Sequence, residues 1–121
     1  MRGLHLTADL YQCRCDGRWL TDAEQLGRWS RETAESLGLA VERASIQPSS
    51  DAEGFSAALL LEHSHVCVHT WPSERGASVD VYLAHAGQDR SAQAHGLMQA
   101  LVERFQPEWT EQRSLDRGDE Q

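Results

Sequence analysis

Residues 63–72, HSHVCVHTWP, constrain this chain more than any other segment. They alternate with the period of a β-strand, in which residues two apart share a face. His63, His65, Cys67 and His69 are expected on one face, and Ser64, Val66, Val68 and Thr70 on the other. One side of such a strand is apolar enough to pack on a core. The other side carries imidazoles, and a row of imidazoles beside a serine is the raw material for a metal site or for serine chemistry.

The neighbouring segments supply the rest of a sheet. Residues 55–62 and 78–85 also read as strands, with Val79, Val81 and Leu83 alternating in the second. Residues 4–13 and 39–46 read as two more. Asp16-Gly17 is a turn signal, and residues 47–54 and 86–89 read as loops. Thr21 or Asp22 can cap a helix running to residue 37, with Leu26, Trp29, Thr33 and Leu37 at helical spacing and Gly38 as its stop. Ser91 can cap a second helix to residue 105, with Ala94, Leu97, Leu101 and Phe105 on one stripe. The order β-α-β-β-β-α predicts an α+β domain, a two-layer sandwich with helices on one face of a mainly antiparallel sheet. The domain is expected over residues 1–107, followed by a charged, flexible tail at 108–121.

Length and charge narrow the function. The chain has 121 residues, enough for one domain with one core. A net charge of −8 argues against a surface for nucleic acid or anionic lipid. All basic residues are arginine. No apolar run approaches a membrane span, and Asp9 interrupts the apolar part of the N-terminal segment, so a cytoplasmic protein is expected. The odd set Cys13, Cys15 and Cys67 does not suggest a disulfide framework.

Four stretches together resemble the bacterial S-adenosylmethionine decarboxylase family. GLHLTADLYQC resembles its opening motif, GFSAALLLEHS its glycine-x-serine strand, SHVCVHTWP its central signature, and VDVYLAHAG its aspartate-containing strand. They fall in the family's order across roughly the first hundred residues. The resemblance implies a proenzyme that cuts itself before a serine and turns that serine into a pyruvoyl group. That ketone forms a Schiff base with the substrate amine and draws electrons from the breaking bond. It implies Ser64 as the pyruvoyl precursor, His63-Ser64 as the scissile bond, and His69 and Ser56 as the residues that assist cleavage. It also implies self-association, as a homodimer or larger, which the uncovered sheet face independently favours.

The chain departs from the family at four positions. His63 stands where glutamate usually precedes the serine. Ala84 stands where a cysteine donates a proton, Ser73 where a glutamate binds ribose, and Ser50 where an aromatic residue packs near adenine. Glu74 is one position from that lost glutamate. His85 and Cys67 are candidate proton donors, although His85 is expected on the wrong strand face. The residues assisting cleavage are retained and those handling the nucleoside are altered. The expectation is therefore a pyruvoyl-dependent decarboxylase acting on a small amine-bearing substrate such as a basic amino acid, with no nucleic-acid or membrane partner. Two alternatives stay open: an inactive relative that binds or regulates, and a histidine-rich metal-binding module built on His63, His65, Cys67 and His69. Side chains two apart on a strand often splay, so no metal is assigned.

Overall fold

The computed structural model describes residues 1–50 and 53–118. Its elements are β1 (Gly3–Tyr11), α1 (Arg18–Thr21), α2 (Ala23–Ser36), β2 (Arg43–Pro48), β3 (Phe55–Leu61), β4 (Ser64–Trp71), β5 (Gly76–Ala84), α3 (Ser91–Phe105) and β6 (Trp109–Arg117), with a 3-10 turn at Pro72–Glu74 between β4 and β5. The strands form one sheet in the order β2-β3-β4-β5-β1-β6, and every neighbouring pair is antiparallel.

Strand alternation decides which residues meet the helices. Leu4, Leu6, Ala8 and Leu10 of β1, Val66 and Val68 of β4, and Val79, Val81 and Leu83 of β5 are all buried. Against them pack Ala94, Leu97, Leu101 and Phe105, the predicted stripe of α3, none with any exposed surface. In α2 the buried line is Leu26, Ser30 and Ala34, with Trp29 and Leu37 at its margins. Asp22 caps α2 by accepting from the Gln25 N–H at 3.1 Å. The α3 cap differs from expectation: Ser91 is the first helical residue, and Asp89 accepts its N–H at 2.9 Å. Cys13 and Cys15 are free and buried, and burial pushes the Cys13 thiol up to about 11. Both act as small apolar side chains.

Two edge strands depart from the sequence expectation. The predicted tail contains β6, which pairs along β1 from Gly3–Arg117 to Tyr11–Trp109; positions 119–121 lie outside the described residues. Its side chains are mostly exposed, so its strand character comes from backbone hydrogen bonds to β1. Composition carries no trace of that pairing. The stacking of Trp109 on Tyr11, with ring centroids 4.0 Å apart, fixes one end. Likewise β2 is exposed throughout and sits at residues 43–48, overlapping what reads as a loop.

Thr70 ties the helix layer to the sheet. It is 5% exposed; its Oγ1 accepts the Phe55 N–H at 3.0 Å and donates to the Leu20 carbonyl at 2.8 Å. Thr70→Val keeps the shape and strands both partners. It should lower unfolding free energy in urea by about 2 kcal/mol, while Thr70→Ser loses less. An unchanged midpoint for the valine variant would contradict this role.

Candidate active site

The face of the sheet away from the helices is open, and the strand register arranges it in rows. One row runs Leu60, His65, Tyr82, His5. The next carries Cys67, Asp80 and Thr7, and the third Ser56, His69 and Ser78. His65, Cys67 and His69 thus share a face, as their spacing predicts. His63 does not join them, because it lies in the turn before β4. The four residues considered as a metal set are therefore not brought together.

That turn is the first piece of the candidate site. Leu61 pairs with Ser64, leaving Glu62 and His63 as a two-residue hairpin connection. His63 has φ +54°, in the left-handed region. This costs a residue with a Cβ about 1 kcal/mol or more. The strain sits immediately before the His63-Ser64 bond. The Ser64 Oγ accepts the backbone N–H of Ala84 at 2.9 Å, which holds the hydroxyl in place beside that bond.

Ser56 and His69 form the second piece. They are cross-strand partners, and the serine hydroxyl lies 2.7 Å from His69 Nδ1. His69 follows Ser64 by five positions (69 − 64 = 5), which is about 16 Å along an extended strand. An odd offset also puts the two side chains on opposite faces. Ser73 and Glu74 leave the same end of β4 as His69, and Ser50 lies in the connection between β2 and β3 that returns to Ser56. The motif positions therefore divide into two groups at opposite ends of β4.

The Ser64 end opens on a cleft of about 1200 Å³ lined by His63, Tyr82, Ala84, His85, Asp89 and Arg117, among others. Ser64 is not itself in the lining; it reaches the cleft through Ala84. The expectation that His85 faces away fails for a simple reason. β5 ends at Ala84, and left-handed turns at Ala86 (φ +52°) and Gly87 (φ +85°) release the chain from strand geometry. His85 consequently lines the same cleft as Ala84. Its Nδ1 accepts the Arg90 N–H at 3.1 Å, so the neutral ring carries its proton on Nε2. Asp89 is held below the usual carboxylate range, chiefly by the Ser91 N–H. Cys67 lies mid-strand on the open face, and burial, then Asp80, pushes its thiol up, which keeps it protonated at neutral pH.

A third group was not anticipated. His5 Nε2 and His65 Nε2 lie 2.6 and 3.2 Å from the same Asp80 Oδ1. Among the described residues, their ligand atoms all fall within 4.8 Å of one another. The only sequence signal was that both His5 and Asp80 occur in quoted motifs; bringing them together requires the β1–β5 register, between residues 75 positions apart.

Comparison with known proteins agrees with this architecture. The sequence profile of the family described as S-adenosylmethionine decarboxylase matches residues 4–118. An S-adenosylmethionine decarboxylase proenzyme from Aeropyrum pernix is 34% identical over 106 residues, covering 84% of this chain and 79% of that protein. Another from a Hydrogenobaculum strain is 29% identical over 116 residues, covering 96% and 81%. The crystal structure of the adenosylmethionine decarboxylase from Aquifex aeolicus superimposes with a TM-score of 0.80 at 24% identity, covering 98% of this chain and 92% of that one, and so shares the fold. The chain belongs to the S-adenosylmethionine decarboxylase family.

Proposed function

We propose that this chain is a self-processing, pyruvoyl-dependent decarboxylase of an amine-bearing carboxylic acid, working as a homodimer. The observation that carries the reading is the left-handed His63 directly before Ser64, whose hydroxyl is anchored by the Ala84 N–H. Strain at His63 is relieved when the Ser64 Oγ attacks the His63 carbonyl carbon and the His63-Ser64 amide gives way to an ester. The pyruvoyl group that would arise at Ser64 supplies an electrophilic carbonyl for the electrons of the breaking C–C bond.

The chain's own residues divide the remaining work. His85 is the proton donor, because it shares the cleft with Ala84 and offers an Nε2–H. Cys67 is not, since it lies three positions from Ser64 on the other strand face (67 − 64 = 3). The Ser56–His69 pair assists cleavage from a second copy, because one chain holds it at the far end of β4. The open face offers an apolar surface for that copy in Leu60, Trp109 and Leu115, all more than two-fifths exposed.

The relatives are named for S-adenosylmethionine, and this chain's departures support a different substrate. Ser50 and Ser73 are both exposed and offer neither an aromatic platform nor a carboxylate. The cleft instead combines Asp89 and Asp116 with Arg117, which suits a zwitterion with a basic side chain. Such a site discriminates poorly for a nucleoside.

Intact mass under denaturing conditions tests processing. Wild type should give fragments 1–63 and 64–121, and Ser64→Ala a single chain of 13.5 kDa. An unbroken wild-type chain would end the pyruvoyl reading. His85→Ala should still be cut, yet lose turnover by roughly a hundredfold or more; unchanged turnover would remove His85 from that role. Carbon dioxide release should be faster from arginine or ornithine than from S-adenosylmethionine. The reverse order would overturn the substrate assignment and leave the processing reading intact.

A further inference from the structure

The His5–Asp80–His65 cluster takes no part in the chemistry proposed above. Three adjacent strands present it. Tyr82 lies between His5 and His65 in the register, and Asp80 stands one row along on the same face, so both imidazoles lean diagonally onto one carboxylate. In a single chain the side chains are 21%, 37% and 37% exposed for His5, His65 and Asp80, open enough for an ion to enter before a second copy packs on the same face.

We propose that His5, His65 and Asp80 bind a divalent first-row transition-metal ion of the zinc type. Two imidazoles and a carboxylate are the nitrogen and oxygen donors such ions take, with water completing the shell. Ligand bonds of about 2.0–2.1 Å in tetrahedral array set neighbouring donors about 3.4 Å apart. His65 Nε2 and Asp80 Oδ1 already stand at 3.2 Å. His5 Nε2, at 2.6 Å from the same oxygen, must open by about 0.8 Å to reach that tetrahedral spacing. Binding requires each ring to move its proton from Nε2 to Nδ1. For His65 and His5 this replaces an N–H···carboxylate bond with a metal–ligand bond. The net charge of −8 favours a cation at the surface.

One neighbour opposes the ion. Arg117 Nη1 lies 3.4 Å from His5 Nδ1, and its guanidinium also sits over the Tyr82 ring. A proton shifted to His5 Nδ1 would face that guanidinium, and the ion would add a second positive charge nearby. The arrangement therefore predicts that removing Arg117 strengthens binding.

The metal-free full-length protein, and separately its Ser64→Ala variant, should be titrated with zinc by calorimetry and with cobalt(II) by visible absorption. This readout is independent of self-cleavage, so failure of the pyruvoyl reading leaves it standing. One ion per chain is expected in both proteins. His65→Ala and Asp80→Asn should each weaken binding at least about tenfold while circular dichroism stays native, and His5→Gln serves if either fails to fold. Arg117→Ala should bind several-fold more tightly. Binding no stronger than that of a His5→Gln/His65→Ala double variant would overturn the site. So would binding that survives in that variant, or that is lost instead with Cys67→Ser or His69→Ala.

Discussion

The eight-residue strand β4 is the constraint on which the site depends. An extended strand is a stiff ruler with two faces, and it fixes both the distance and the side of every residue it carries. Val66, Val68 and Thr70 face the helices and are buried, so the strand cannot rotate without exposing the core. With that settled, His65, Cys67 and His69 must occupy the open face. Ser64 begins the strand beside a strained turn and His69 lies near its other end. The separation of the serine from its expected helper thus follows directly from the packing of the core.

Much of this was legible from local pattern. The two-residue hairpin at Glu62-His63 makes cross-strand partners sum to a constant, 61 + 64 = 56 + 69, so the Ser56–His69 pairing is implicit in the spacing once the turn is placed. The α3 stripe was legible because Ala94, Leu97, Leu101 and Phe105 keep helical spacing without interruption. What could not be read depends on non-local register. β6 is mostly polar, with Trp109 and Leu115 its exposed apolar residues, and is held by β1, so its composition matches a solvated tail. His5 and Asp80 come together only when β1 pairs with β5. His85 was misplaced because periodicity runs on through a strand end, whereas the positive φ at Ala86 and Gly87 ends it.

The family resemblance and the physical reading divide the work. The family accounts for the architecture, an antiparallel six-stranded sheet with helices on one face. Geometry supplies the proposed alternative to a donor at position 84: the chain turns after Ala84, and His85 lines the same cleft. The open face carries polar chemistry where an ordinary covered sheet would carry leucine and valine, and it concentrates histidine on a chain otherwise dominated by acidic residues.

The central claim is that two copies build each processing site. Coexpression of Ser64→Ala with His69→Ala, carrying different tags and purified through both, tests it most directly by intact mass. Each variant alone should remain uncut. In the mixed assembly the His69→Ala chain, which keeps Ser64, should be cut with help from its partner's Ser56–His69 pair. A mixed assembly in which that chain stays whole, or a His69→Ala protein that is cut on its own, would contradict the account.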